Sequence, residues 1–203
     1  DPAARRIGAV NTITVTPEGA LEGRNTDGFG FLANLRDASG GGFDAQRPAV
    51  VIGAGGAARA ILFALKQAGI ADIRLVNRTV ARARELADRF GPGIAAAGWE
   101  AVGELAGDAE LVVNTTAIGL EGEGEVPLDV RRLPDNAVVA DIVYTPLETP
   151  LLAAAGGRGL RTVDGLGMLL HQAVPGFERW FGVRPAVTEA LRARIVADLE
   201  AHR

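Results

Sequence analysis

The chain has 203 residues, of which 48% are hydrophobic and 23% charged, the make-up of a globular protein with one large domain or two small ones. Its net charge of −4 argues against a nucleic-acid or membrane-surface partner, and no run of 18 apolar residues is available to span a bilayer. With no cysteine and only His171 and His202, neither a disulfide framework nor a catalytic metal is expected; no signal peptide is visible, which makes the cytoplasm the default compartment.

Residues 10–28, VNTITVTPEGALEGRNTDG, alternate in polarity around Pro17-Glu18-Gly19, which predicts an antiparallel hairpin. The Asp27-Gly28 pair within Asn25-Thr26-Asp27-Gly28 has two readings: a tight hairpin turn, or a carboxylate held at the floor of a site. Nothing local decides between them. Ser39, Gly40, Gly41 and Gly42 form the one flexible stretch. From residue 48 short apolar runs alternate with helical segments. PAVVIG (48–53) reads as a strand buried on both faces, followed by a helix over 57–68 that Gly69 stops. IRLV (73–76) is a second strand, and in the helix after it Val80, Ala83, Leu86, Ala87 and Phe90 share one face. Further strands are predicted at 110–114, 137–144 and 160–163. Strands alternating with helices call for an α/β fold, a doubly wound Rossmann-type parallel sheet. After Gly165 the chain reads as helical. LGMLLHQAV leads to Pro175, which should end or kink its helix. A last helix over about 188–202 places Val187, Leu191, Ile195 and Leu199 on one stripe.

Gly53-Ala54-Gly55-Gly56-Ala57-Ala58 follows a strand, opens a helix and fits G-x-G-x-x-A. The first glycine permits the tight turn, and the second lets backbone approach a pyrophosphate. The small sixth residue lets helix pack on strand, and the free amides of the helix start attract the anion. At the end of the second strand, where a reader of a free ribose hydroxyl places Asp or Glu, this chain has Asn77-Arg78-Thr79 and then Arg82. Two guanidiniums there suit the 2′-phosphate of NADP; the alternative is that both are solvated helix charges.

The segments GAVNT (8–12), NTDGFGF (25–31), GAGGAAR (53–59), NRTVARA (77–83), NTTAIGL (114–120), DIVYTPLETPLL (141–152) and DGLGMLLHQA (164–173) occur in that order. Together they closely resemble the shikimate dehydrogenase family in identity, spacing and order, as far as about Pro185. The resemblance implies an NADP-dependent, reversible interconversion of 3-dehydroshikimate and shikimate, a step of aromatic amino-acid biosynthesis. It implies that Gly53, Ala54, Gly55, Gly56 and Ala57 hold the pyrophosphate and that Asn77, Arg78, Thr79 and Arg82 hold the 2′-phosphate. Ile142 and Gly165 would line the nicotinamide side. Asn11, Asp27, Tyr144 and Gln172 would contact the substrate, a polyol that short polar side chains can recognise hydroxyl by hydroxyl. Asp27 would be catalytic, paired with a lysine that handles the proton.

That lysine and a serine pair for the substrate carboxylate are expected upstream of GAVNT, in a substrate-binding domain that this chain lacks. Its single lysine, Lys66, is placed at the end of a helix as a solvated cation offsetting the dipole, and does not stand in. The expected division is therefore 1–31 as the remainder of the substrate domain, 32–164 as the NADP-binding domain, and 165–203 as helices packing back. A monomer or homodimer that binds NADP and turns over poorly is expected. Alternatives are a non-catalytic NADP-binding module or degenerate paralogue, and a quinate/shikimate dehydrogenase. Trp99, Trp180, Phe177 and Phe181 read as packing residues, and His171 as a packed or solvated neighbour of Gln172. Asp141 and Asp164 read as acceptors for backbone donors at strand ends.

Overall fold

The computed structural model describes residues 1–38, 40 and 43–201, so most of the glycine-rich stretch at 39–42 and the expected helix end at His202 lie outside the described residues. The chain opens with a helix that the pattern does not announce, α1 (Pro2–Ile7). The Asp1 carboxylate accepts the Ala4 amide at 2.7 Å, Pro2 stands where no amide partner is needed, and Gly8 ends the helix at a φ of 78°. The hairpin follows as expected: β1 (Thr12–Val15) pairs antiparallel with β2 (Leu21–Arg24) around a turn that closes with Gly19.

Asp27 then departs from the tight-turn reading. It is the first residue of α2 (Asp27–Ala38), with its amide bonded to the Asn25 side chain at 3.1 Å. Two glycines make this helix a close neighbour of two others, β3 (Ala49–Ile52) intervening in the chain before the first of them, α3 (Gly56–Gln67). A β-carbon on Gly28 would meet the Ala60 carbonyl at 3.0 Å, and one on Gly30 would meet the Met168 carbonyl and the Gln172 amide at 2.7 Å. Residue 31, where the division of the chain is expected, lies within this helix, whose Gly28, Gly30, Phe31 and Leu35 are buried.

The sheet continues through β4 (Ile73–Val76), helix α4 (Val80–Phe90) and β5 (Ile94–Ala97), a strand of three alanines that escapes sequence reading because alanine has little strand preference. After the short α5 (Val102–Leu105) come β6 (Leu111–Asn114), β7 (Val138–Asp141), α6 (Pro150–Gly157) and β8 (Arg161–Val163). All six strands are parallel in the order β5-β4-β3-β6-β7-β8, the doubly wound order with its direction reversing between β3 and β6. Alternate residues of one strand face opposite layers: Ala49 and Val51 pack with Ile61, Leu65, Leu75 and Leu86, whereas Val50 and Ile52 pack with Val76, Val112, Val139 and Leu152. Every residue of β3 is fully buried.

Helix α7 (Gly165–Phe181) continues past Pro175, so of the two expected outcomes the proline does not end the helix. The proline deprives the His171 carbonyl of its helical partner. Packing holds the helix on either side of that loss: Met168 and Gln172 press on Gly30, and Val174 and Gly176 are buried, with a β-carbon on Gly176 placed 3.3 Å from the Thr12 methyl. The last helix, α8 (Glu189–Ala201), has no buried residue, so the stripe of Val187, Leu191, Ile195 and Leu199 is at best half covered. Three aromatics also depart from the packing expectation. Phe177, Trp180 and Phe181 are exposed, Phe177 and Phe181 leaning on each other while the Trp180 indole donates to the Ile13 carbonyl at 3.0 Å. Trp99 does pack, against the second layer of the core.

Lys66 is not a solvated helix charge. Its ammonium donates to the carbonyls of Phe90 (3.0 Å) and Pro92 (2.6 Å), closing the end of α4 rather than of its own helix. Arg6 donates to the same Phe90 carbonyl at 3.1 Å, and Arg89 returns the contact through Nε to the Arg6 carbonyl at 3.2 Å. The carboxyl ends of α1 and α4 are thus each capped by cations from outside the helix they close or from the other of the pair.

Candidate active site

The carboxyl ends of the central strands carry the candidate residues. Gly53 follows β3 with a φ of 107°, and a β-carbon there would meet the Thr115 hydroxyl oxygen at 2.7 Å. Thr115 in turn donates to the carbonyls of Ile52 (2.9 Å) and Gly53 (3.2 Å), fixing the turn from β6. On the other side the Ala54 amide donates to Asn77 Oδ1 at 3.2 Å, and Asn77 Nδ2 donates to the Thr79 carbonyl at 2.9 Å. Asn77 therefore braces the turn. Gly55 and Gly56 face open space, with nothing within 4 Å of a β-carbon at either, and no side chain caps the start of α3. Ala57 lies in that first turn, and Ala58 is fully buried against the sheet. Uncapped amides, an open approach and the positive end of a helix fit a pyrophosphate. Arg78 and Arg82 are exposed, and neither side chain is in an ion pair or hydrogen bond among the described residues. No carboxylate competes for them at the end of β4.

Across β3, the end of β7 is organised by a buried carboxylate. Asp141 is 2% exposed; Oδ1 accepts Asn114 Nδ2 and the Val143 amide, each at 3.0 Å, and Oδ2 accepts the Thr149 hydroxyl at 2.8 Å. Burial pushes its pKa above the usual carboxylate range, although those three donors pull the other way. Asp141 is an acceptor for structure, as its position at a strand end predicts. The next residue, Ile142, and Gly165 are brought together. The Gly165 amide donates to the Val143 carbonyl at 3.2 Å, and a β-carbon on Gly165 would collide with the Ile142 carbonyl. Asp164, also as expected, caps α7 by accepting the Leu166 amide at 3.0 Å.

The candidate substrate residues are only partly assembled. Asn11 Nδ2 donates to Asp27 Oδ1 at 2.7 Å, and Asn25 Nδ2 donates to Asp27 Oδ2 at 3.2 Å. Asn11 is itself oriented, since its Oδ1 accepts the Thr26 amide at 3.0 Å and the hydroxyls of Thr12 and Thr26. Gln172 lies on α7 against Gly30, one turn from Asp27. His171 points elsewhere, its Nε2 lying 3.0 Å from Asp37. Tyr144 lines a separate cleft of about 310 Å³ with Pro146, Leu147, Val196 and Leu199. Among the described residues no hydrogen bond links its hydroxyl to Asn11, Asp27 or Gln172.

Residues 41–120 match the family model for shikimate/quinate 5-dehydrogenase, and residues 165–194 match that of the shikimate 5′-dehydrogenase C-terminal domain. A shikimate dehydrogenase (NADP(+)) of Mesorhizobium japonicum is 63% identical over 199 residues, covering 98% of this chain and 70% of that one. The chain belongs to the shikimate dehydrogenase family. Among solved structures, the shikimate 5-dehydrogenase of Thermus thermophilus in complex with NADP(H) and shikimate is 41% identical, with a TM-score of 0.78 over 92% of this chain and 67% of that one. The quinate dehydrogenase of Corynebacterium glutamicum in complex with NAD is 30% identical, with a TM-score of 0.87 over 97% of this chain and 71% of that one.

For this shikimate dehydrogenase family member, sequence reasoning missed the supporting residues. Asn114, Thr115 and Thr116 stand at the point where the strand order reverses, yet no role was assigned to them. Their polar run directly after the apolar LVV was the available signal, because a strand end at that crevice is where ligands bind. Asn34, whose Nδ2 donates to the Asp164 carbonyl at 2.7 Å, gave no local signal.

Proposed function

We propose that this chain binds NADP in the cleft between the glycine turn and Gly165, and through it takes part in the reversible reduction of 3-dehydroshikimate to shikimate. The observation that carries this reading is the uncapped start of α3 beside Gly55 and Gly56, flanked by the unpaired Arg78 and Arg82. The pyrophosphate lies on the backbone of Gly53, Ala54, Gly55, Gly56 and Ala57. Arg78, Arg82 and Thr79 take the 2′-phosphate, while Asn77 reaches it only by fixing the turn. Ile142 and Gly165 present carbonyls and a bare backbone to the nicotinamide side. NADP, when bound, supplies or accepts the hydride.

Asn11, Asp27 and Gln172 are the polyol-facing residues, and Tyr144 joins them only if its loop approaches. Held by two amide donors, Asp27 keeps one orientation in which its oxygens can accept the proton of the hydroxyl being oxidised. A lysine beside it would complete the acid–base pair, but Lys66 is committed to the carbonyls of Phe90 and Pro92. The hairpin and α1 belong with the substrate side, and α7 and α8 pack back toward it. A cofactor-only module is the second reading, favoured by that commitment of Lys66.

The test is to titrate the 203-residue chain with NADPH and to follow nicotinamide reduction with shikimate and NADP. Micromolar NADPH binding with weak turnover is expected. Turnover at an enzyme-like rate overturns the account of the proton, and failure to bind NADPH overturns the whole reading.

A further inference from the structure

Helix α8 has no buried residue, yet it touches both segments that flank Gly165. Arg192 Nη2 lies 2.5 Å from Asp164 Oδ2. Val196 and Leu199, one and two turns further on, face Tyr144, Pro146 and Leu147 on the loop that follows Ile142. Asp164 is a junction of three helices. Its Oδ1 accepts the Leu166 amide that starts α7, its Oδ2 takes Arg192 of α8, and its carbonyl accepts Asn34 Nδ2 from the helix that Asp27 opens. Little slack remains there, because a β-carbon on Gly167 would run into the Asn34 side chain, and one on Gly165 into the Ile142 carbonyl.

The Asp164 carboxylate is thus shared between capping α7 and anchoring α8. A carboxylate held at both oxygens has one rotamer; released at one, it turns toward solvent and the cap at Leu166 weakens. The pair does not serve the core, since side chains of 36% and 25% exposure on a helix with no buried residue bury little apolar surface. What it fixes is the place where α7 begins, against the carbonyls of Ile142 and Val143. Arg78 and Arg82 follow β4, on the opposite side of β3 from β8, and lie outside its reach.

We propose that Arg192 is a positioning residue for the nicotinamide half of the cofactor site, acting through Asp164 on Gly165 and leaving the adenosine half unaffected. This rests on the cofactor reading above, and its experiment separates the two. The chain and its Arg192→Ala, Arg192→Lys and Arg194→Ala variants are titrated with NADPH and with adenosine 2′,5′-bisphosphate, which carries only the adenosine half. Arg192→Ala binds NADPH roughly threefold to tenfold more weakly and the bisphosphate as tightly as before, as expected for a partly exposed charge pair. Arg192→Lys regains part of the loss, and Arg194→Ala, an exposed arginine of the same helix, changes neither. Raising the salt concentration narrows the gap between the chain and Arg192→Ala. An equal loss for both ligands makes Arg192 a support of the fold in general and overturns the proposal, as does no loss for either. If the unaltered chain binds neither ligand, the cofactor reading falls and takes this proposal with it; if it binds both and Arg192→Ala matches it, only the positioning role falls.

Discussion

At Gly53 two constraints coincide, a φ of 107° and the Thr115 hydroxyl 2.7 Å from any β-carbon. Relief of one leaves the other. Gly53→Ala is therefore expected to lower stability by about 1–3 kcal/mol in chemical denaturation and to weaken NADPH binding as well. Arg78 and Arg82 are a different case, because neither side chain is in an ion pair or hydrogen bond among the described residues. Removing either is expected to weaken NADPH binding about tenfold while NADH binding stays level and the denaturation midpoint is unchanged. Equal losses for both nucleotides would show that they do not read the 2′-phosphate. These residues were legible because a glycine turn and a strand end are local patterns. Thr115 and Asn34 were not, since they act on partners 63 and 130 positions away in the chain. Asp27 lay between these cases. Its neighbours Asn25 and Asn11 decide its role, and only the first of them is nearby in the sequence.

Among the elements, strands between 48 and 163 were read correctly in type because buried parallel strands are unbroken apolar runs, with β5 the exception. Helix α2 was not read, and its two glycines explain why. They weaken helix propensity, which is the local signal, and supply close approach, which is a tertiary one. Gly30→Ala tests the second role directly. The added methyl has the α7 backbone 2.7 Å away, so a loss of about 1–3 kcal/mol is expected, seen as a lower denaturant midpoint at constant slope. An unchanged or raised midpoint would mean that α7 can step aside. Pro175 shows the same override in reverse, for a residue that should interrupt a helix sits within one whose neighbours are held by packing.

For the molecule as a whole, the doubly wound order places every candidate cofactor residue at one edge of the sheet, the carboxyl ends of its strands. Stability has an acid-sensitive component at the opposite edge. Arg74 of β4 pairs with Asp108 and Asp72, and its hydrogen bonds hold the Asp108 pKa below the usual carboxylate range. A lowered folded pKa contributes stability above the unfolded value and loses it as pH falls through the folded one. Asp108→Asn is thus expected to be slightly less stable than the chain at neutral pH and to converge with it as pH falls through the lowered folded-state pKa of Asp108, in denaturation curves taken from neutral to acid pH. A constant gap would mean that the pair does not titrate with folding. The contact between α1 and α4 is of a different kind. The Arg6 and Arg89 guanidiniums each donate to a peptide carbonyl of the other helix, and Lys66 of α3 donates to the same Phe90 carbonyl as Arg6. The first helix is therefore fastened on two sides, by its amino terminus to the Gly23 carbonyl of the hairpin and by its last turn to the helices that follow β3 and β4, so the two regions meet through it.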